Sequence, residues 1–212
     1  MLSQIIAPIL IFLSIGLTSP AVSSMGQPLG SKEFSLENRY ADSFVNKVFK
    51  DNILLDIAYM SGKITKASDI NWDEIEKPFK FSFSLIPGKT FAFHEDVLPQ
   101  YQDSLALTTK AHFNWSEGFK SDGYLTGDGV CHLASLMYWA AKEAGLKVYA
   151  PTNHDFMPIP EIPREFGVSI YSMPGQNESN ARQNLYITND QKSEVTFVFD
   201  YNGKDLKFTV EE

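Results

Sequence analysis

This sequence has almost no cysteine and fewer positive than negative charges. Its 212 residues include one cysteine, Cys131, and only 18 lysines and arginines against 26 aspartates and glutamates, which gives a net charge of −8. A single cysteine excludes an internal disulfide, so the fold is not a disulfide scaffold. The acidic balance argues against a nucleic-acid partner and against a polybasic membrane-binding surface. Solenoid-type repeats are also missing, and a hydrophobic fraction of 43% is enough for one sizeable core.

Charge is missing altogether from the start of the chain. Residues 1–22 contain no charged side chain, and a mostly apolar run from Ile5 to Leu17 precedes small residues at 21–23. This pattern predicts a secretory signal peptide over 1–23 and an exported, extracytoplasmic protein. An uncleaved N-terminal anchor, which would be the protein's membrane contact, is the alternative, although a spanning helix needs about 20 apolar residues. Residues 24–35, rich in Ser, Gly and Pro, are predicted to be a flexible lead-in to a single domain over 36–212.

Apolar periodicity predicts two main helices. Large apolar residues recur every four positions over 36–60, with Gly62 as the stop, and a second apolar stripe covers 130–144, followed by Gly145. Alternating or short apolar runs predict strands at 79–85, 90–97, 105–112, 146–150, 168–171 and 185–188. The proline-rich residues 156–164 are predicted to be a loop.

The C-terminus has the pattern of a β-hairpin. Asn202-Gly203 is a strong signal for a two-residue turn, which would place Tyr201 opposite Lys204 and Phe199 opposite Leu206. The bulky residues then share one face, but Asp200 lies opposite Asp205, an unfavourable pair. Together these elements predict an α+β fold with a mostly antiparallel sheet and two main helices.

The best candidate for chemistry is the lone cysteine. A glycine-rich loop leads into Cys131 at the start of the second helix, and His154 follows one element later. A thiol at a helix N-terminus with a nearby histidine is a recurring way to build a nucleophile and its general base. The alternatives are a small buried apolar residue at Cys131 and a loop histidine bonded to backbone at His154.

Further residues complete this hypothesis. Glu165 would orient His154 as the third member, while Asp155 is a nearer rival that would point the other way along an extended chain. The Cys131 N–H and a loop N–H would bind an oxyanion. Substrate would approach the loop backbone at Gly127, Asp128 and Gly129, although these glycines also suit a simple turn.

The remaining histidines give no comparable pattern. His132 is expected on another face of the helix from Cys131, because neighbouring helical residues diverge. A metal site is the rival chemistry, but the four histidines, His94, His112, His132 and His154, show no ligand-like spacing. The sequence therefore predicts neither a metal nor a cofactor.

Several segments taken together resemble the VanW family of bacterial proteins, named for an accessory gene in some vancomycin-resistance clusters. The resemblance covers about residues 45–190, and the segments that carry it are 52–58 with Gly62, 87–94, 127–135, 144–146, His154, 163–168 and 184–189. The family pattern has Gly, Gln, Ser and Asp at four positions where this chain has Asp128, His132, Ala134 and Glu165. The departures cluster around the candidate site.

The resemblance implies an exported cell-envelope protein. One expectation is a cysteine hydrolase or acyl transferase, on a fold similar to transglutaminase-like or papain-like enzymes, acting on peptidoglycan-related peptides. A second is a non-catalytic domain that binds a cell-wall peptide or glycan and keeps Cys131 buried. A third is an interaction partner in a resistance or wall-stress system, with no chemistry of its own.

Overall fold

The computed structural model describes residues 27–212, so the predicted signal peptide at 1–23 lies outside the described residues. The fold is α+β, as predicted, with two four-stranded sheets. The strands are β1 (Pro28–Ser35), β2 (Phe79–Leu85), β3 (Thr90–Ala92), β4 (Leu105–Leu107), β5 (Lys147–Tyr149), β6 (Tyr186–Thr188), β7 (Val195–Tyr201) and β8 (Asp205–Glu211). The α-helices are α1 (Ser43–Met60), α2 (Trp72–Ile75), α3 (Val130–Glu143) and α4 (Asn177–Arg182).

Sheet A is antiparallel and has the strand order β1-β8-β7-β2. Every second residue of β7 and β8 is buried, because successive side chains of a strand point to opposite faces. These core residues are Val195, Phe197, Phe199, Tyr201, Leu206, Phe208 and Val210. Two-residue periodicity in the sequence therefore predicted the buried face of sheet A correctly.

The flexible lead-in predicted over 24–35 is wrong for residues 28–35, which form strand β1. This segment pairs with β8 from Pro28 to Ser35, because the outer edge of β8 offers backbone groups that need partners. The Ser, Gly and Pro content of this segment is typical of a flexible linker, so the sequence does not predict the strand. Gly30 lies directly on helix α3, where an added Cβ would come within 2.5 Å of the Ala140 carbonyl oxygen.

The hairpin prediction is correct in its faces and wrong in its register. Tyr201 pairs with Leu206 and Asp200 with Lys207, two residues further along β8 than predicted. The loop is longer because the Asn202 side-chain oxygen accepts hydrogen bonds from the backbone N–H groups of both Lys204 and Asp205. A shift of two residues preserves the pleat, and it replaces the predicted Asp–Asp pair with Asp200 opposite Lys207.

Sheet B is smaller, with the order β4-β3-β6-β5, and its β3–β4 pair is parallel. Its strands have three residues each, shorter than the extended segments predicted over 90–97 and 105–112. Phe91 of β3 stacks on Phe83 of β2 with ring centroids 5.4 Å apart. The two sheets therefore share one hydrophobic core.

Helix α1 begins seven residues later than predicted, at Ser43 rather than residue 36. Asp42 has extended backbone angles and caps the helix by accepting hydrogen bonds from the N–H groups of Phe44 and Val45. Leu36 instead lies in the turn directly after β1, where its N–H donates to the Lys204 carbonyl. The predicted stop is correct, because Gly62 follows the helix with a φ of 76°.

Helix α3 lies at the centre of the fold and packs against β1, β8, α1 and β5. Its predicted apolar face is fully buried at Leu133, Leu136, Met137 and Ala140. Beyond β5, residues 150–185 form an irregular layer, called the loop layer here, which includes α4. The prediction of a strand at 168–171 is wrong, because this segment has no regular secondary structure and joins neither sheet. Among residues 27–212, no helix is both long and apolar enough to cross a bilayer.

Candidate functional site

The glycine loop before α3 is shaped by close packing. Gly129 precedes the helix with a φ of 102°, and an added Cβ would lie 2.6 Å from the Phe49 carbonyl oxygen of α1. Gly127 has a φ of 87°, and its Cβ would lie 2.8 Å from the Cβ of Phe113. Both positions need glycine for left-handed backbone and for contact with neighbouring chain. Packing alone therefore accounts for these two glycines.

Asp128 stabilises the same loop through hydrogen bonds. Its carboxylate accepts a hydrogen bond from the Asp122 N–H, and burial raises the pKa of Asp128 to about 6. Its backbone carbonyl accepts from the Asn52 amide of α1 at 2.8 Å. Asn52 also pairs with both backbone groups of Lys120. The polar bonds of Asp128 are thus directed at closing and anchoring the loop.

Cys131 lies in the first turn of α3, half-buried, with its sulfur on the loop layer. Its Sγ accepts a hydrogen bond from the Ile170 N–H at 3.3 Å and donates to the Ile170 carbonyl at 3.5 Å. Burial raises the pKa of the Cys131 thiol to about 11. Reactive cysteines have pKa values lowered to between about 3.5 and 7.5. The sulfur is therefore held as a neutral thiol.

Ser135 continues this contact one helical turn later. Its hydroxyl donates to the Cys131 carbonyl at 2.7 Å and accepts from the Val168 N–H at 2.9 Å. Residues four apart lie on the same side of a helix, and residues two apart lie on the same side of an extended chain. Cys131 and Ser135 therefore bind Ile170 and Val168 as two rungs between α3 and the loop layer.

His154 is buried in the loop layer and has a defined tautomer. Its Nδ1 lies 3.0 Å from the Met157 carbonyl, which can only accept, so Nδ1 carries the proton. Burial lowers the pKa of His154 below 6.5, so the ring is neutral at pH 7 and Nε2 is an acceptor. Phe156 covers the ring, with centroids 4.1 Å apart.

The three residues of the predicted triad are not joined to one another. Within residues 27–212, no hydrogen bond links Cys131 to His154 or His154 to Glu165. Glu165 is exposed in a short 3-10 helix, Arg164–Phe166, and Asp155 is exposed beside Arg164. As a catalytic set the three residues stay a prediction, one that this structure does not assemble through hydrogen bonds.

His132 contacts His154, a pairing that no pattern in the sequence indicates. It was expected simply to face away from Cys131, and its ring lies 6.2 Å from that of His154 and 5.0 Å from that of Phe49. His132 is 4% exposed, and its Nδ1 is buried without a hydrogen-bond partner. Burial lowers the pKa of His132 well below 6.5, so the two imidazoles meet as neutral rings.

A pocket of about 220 Å³ opens beside His154 in the loop layer. It is lined by His154, Met157, Pro158, Ile159, Ile162, Pro163, Arg164 and Gly167. Most of this lining is apolar, while His154 supplies an imidazole and Arg164 a cation. Gly167 keeps the floor close to His154, because an added Cβ there would lie 3.1 Å from the His154 carbonyl oxygen.

One wall of the pocket is fixed by an ion pair that no sequence signal indicated. Arg39 is 1% exposed and donates to the Glu161 carboxylate at 2.9 Å and to the Pro160 carbonyl at 3.2 Å. Burial lowers the pKa of Arg39 to about 10, so it stays charged. Glu161, with a φ of 67°, also accepts from the Ser35 N–H. The proline-rich wall is therefore tied to the end of β1.

The metal site considered as the rival chemistry is not found among the side chains of the described residues. Across residues 27–212, no group of three or more His, Cys, Asp and Glu residues is placed to hold a metal ion. The four histidines lie in separate hydrogen-bonded or packed settings, apart from the His132–His154 contact.

A comparison with protein families gives a match over more than half of the chain. The family model described as VanW like protein matches residues 82–211, from the middle of β2 to the end of β8. The match contains the glycine loop, α3, the loop layer and the pocket, and it begins after α1. Neither the curated proteins nor the solved structures include a match to this chain.

Proposed function

Because this chain belongs to the VanW family, we propose that it is a non-catalytic domain of the cell envelope that binds a cell-wall peptide in the pocket beside His154. The observation that carries this proposal is the bonding of the Cys131 sulfur. Both hydrogen bonds of Sγ go to the backbone of Ile170. A thiol that donates to a carbonyl and is held neutral by burial serves packing better than attack on a substrate.

The pocket suits a small apolar group on a polar chain. Its volume of about 220 Å³ is below the range of roughly 300 to 1,000 Å³ for drug-sized ligands, so it accommodates one or two small side chains. Ile159, Ile162 and Met157 supply apolar contacts, and the Nε2 of the neutral His154 ring is the proposed acceptor for a peptide N–H. Arg164, whose guanidinium lies 3.9 Å from the Asp155 carboxylate, is the proposed cation for a ligand carboxylate, which would compete with Asp155. These features favour a short peptide over a glycan.

The location in the envelope rests on the sequence. The signal peptide predicted over 1–23 would export the domain, and the resemblance to a family associated with vancomycin resistance supplies the peptidoglycan peptide as the candidate ligand. The pocket lining alone supports no more than a proposed small peptide with an apolar side chain and a negative end.

The competing function is a cysteine hydrolase or acyl transferase in a transglutaminase-like or papain-like arrangement. That function requires Cys131 to leave the Ile170 backbone and to pair with His154. The position of Cys131 in the first turn of α3 is compatible with a thiolate, because helix N-termini favour negative charge. The burial and bonding of the sulfur oppose it.

Binding of a synthetic peptidoglycan stem pentapeptide, followed by calorimetry and by amide chemical shifts, tests the proposal. We expect shifts at the pocket residues and saturable binding. Met157→Trp should fill the pocket and weaken binding by about tenfold or more, which is about 1.4 kcal/mol for each factor of ten. Met173→Trp is the matched control, because Met173 is equally exposed (39% against 42%) and lies outside the pocket lining.

The thiol is tested in the same assay. Cys131→Ser keeps a donor and an acceptor for Ile170, so we expect it to bind the pentapeptide like the wild type. Cleavage or acylation of the peptide by the wild type and not by Cys131→Ser would overturn the non-catalytic proposal. So would iodoacetamide labelling of Cys131 that persists below about pH 8.5 and is lost in His154→Ala.

A further inference from the structure

His112 lies outside the pocket and is bonded to carboxylates through both ring nitrogens. Its Nδ1 is 2.7 Å from an oxygen of Glu117, and its Nε2 is 2.9 Å from an oxygen of Glu95. The second oxygen of Glu117 accepts the His112 backbone N–H at 2.8 Å. Carboxylates only accept, so both nitrogens must donate, and only the protonated imidazolium has two donors. The geometry therefore assigns a positive charge to His112.

The segment that carries His112 has unfavourable backbone angles. Lys110 has a φ of 67° and Phe113 a φ of 58°, in the left-handed region that residues with a Cβ avoid. Local bonds hold the segment in this form. The Thr109 hydroxyl donates to the Phe93 carbonyl, and His112 links the segment to Glu95 just after β3. Breaking the His112 bonds removes one of the restraints that keep this backbone in place.

The strained segment supports the glycine loop. Gly127 lies against the backbone of Phe113, with its Cβ position 2.8 Å from the Phe113 Cβ and 3.1 Å from the Phe113 carbonyl. The Phe113 ring packs edge-on against Phe119 at 5.6 Å. Gly127 itself closes the loop by donating its N–H to the Lys120 carbonyl. A shift of residues 110–113 therefore removes the surface on which the loop before Cys131 is folded.

We propose that His112 is a pH-dependent clasp, which as an imidazolium between Glu95 and Glu117 holds residues 110–113 against the Gly127 loop and on losing its proton releases that loop. The clasp joins three parts of the chain: the exit of β3, the strained segment and the loop that leads into α3. Its effect reaches the loop before Cys131 without involving the pocket beside His154.

The charges around His112 set the direction of the switch. Burial lowers the pKa of His112, but the hydrogen bonds that the ring donates to Glu95 and Glu117, together with their charges, outweigh it and raise the pKa above 6.5. On the elements packed nearby, His94 is neutral because burial lowers its pKa, and burial raises the pKa of Asp56, which faces Glu117, well above 3.8. Burial also raises the pKa of Tyr59, whose hydroxyl donates to the Glu117 carbonyl.

The sign of the linkage follows from the raised pKa. A group that binds its proton more tightly in the folded state contributes its full stabilisation below its unfolded pKa, about 6.5 for histidine. The contribution is lost as the pH rises through the higher folded pKa. The clasp is therefore closed in mildly acidic solution and opens as the pH rises through the raised pKa of His112.

Amide hydrogen exchange and imidazole titration by NMR test the proposal. We expect His112 to titrate above 6.5, and the protection factor of the Gly127 amide to fall by about tenfold between about pH 6 and about pH 9. Amides of the β7–β8 pair, corrected in the same way for intrinsic exchange, should not change. A His112 pKa at or below 6.5, or equal protection of Gly127 at both pH values, would overturn the clasp.

Variants separate the clasp from general loss of structure. His112→Gln should give low Gly127 protection at both pH values, and Glu95→Gln should lower the midpoint of the transition while the fold stays intact. Glu178→Gln is the matched control, because Glu178 is an exposed carboxylate that pairs with Arg182 on α4. A midpoint unchanged in Glu95→Gln, or equally lowered in Glu178→Gln, would contradict a specific contact between Glu95 and His112.

Discussion

Sheet A and the loop layer bury their residues by different means. In sheet A, backbone groups pair strand to strand, and one face of every strand packs into the core. In the loop layer, backbone pairing is limited to isolated bonds, such as that from the Ser169 N–H to the Thr152 carbonyl. Side chains of distant elements hold other backbone groups: Ser135 on Val168, Cys131 on Ile170 and Arg39 on Pro160. The sheet depends on summed apolar area, whereas the loop layer depends on a few individual polar bonds.

The largest expected effect comes from removing a large side chain from the apolar core under sheet A. Phe208 is fully buried and packs against both Phe197 and Phe199. We expect Phe208→Ala to lower the free energy of unfolding by about 3 to 5 kcal/mol, from lost burial plus the cavity left behind. Urea denaturation measures it, and Lys204→Ala in the exposed turn serves as the control. A loss below about 1 kcal/mol would mean that sheet A is not held by its aromatic core.

An intermediate effect tests the loop layer. Ser135→Ala leaves the buried Val168 N–H without its acceptor, which should cost about 1 to 3 kcal/mol. Hydrogen exchange should show the loss at Val168 and Ile170 first, with sheet A less affected. Ser84→Ala is the control, because that hydroxyl makes an exposed cross-strand bond to Thr196. If the Val168 amide kept its protection, the side-chain rungs would not hold the layer.

The smallest expected effect tests which strand register the β7–β8 hairpin adopts. Asp200 lies opposite Lys207 and within 3.6 Å of the Lys80 ammonium, so Asp200→Asn should cost a few tenths of a kcal/mol, up to about 1. Asp205→Asn should be close to neutral. Under the two-residue turn predicted from the sequence, Asp200 would face Asp205, and neutralising either would stabilise the protein. The sign of the change in denaturation midpoint therefore distinguishes the two registers.

The same contrast explains what the sequence predicted of the fold. Strands β2, β7 and β8 and helix α3 were predicted because their periodicity is local and directly reports the buried face. The register of the hairpin was missed because the Asn202 side chain, rather than the Asn-Gly pair alone, shapes the loop. The unfavourable Asp200–Asp205 pair was the sequence signal that pointed to a different register.

The candidate site was less predictable, because its contacts join distant parts of the chain. Periodicity placed Cys131 at the start of α3 and His154 in the next loop, but the partner of the sulfur is Ile170, 39 residues away. The contact between His132 and His154 and the ion pair of Arg39 with Glu161 likewise arise only when the loop layer folds over α3 and the end of β1. Local patterns contain no information on such pairings.

Gly30 has a consequence for how the pocket responds to a ligand. At this residue the backbone of β1 touches the backbone of α3, near Ala140 and Ala144, with no side chain between them. No side chain lies between the two backbones that could change its rotamer to accommodate a movement. The helix can therefore neither slide nor rotate on the sheet without a clash. Helix α3, which supports the loop layer behind the pocket through Cys131 and Ser135, is therefore rigid. Any adjustment to an occupant is left to the proline-rich wall, whose tie through Glu161 can stretch or break.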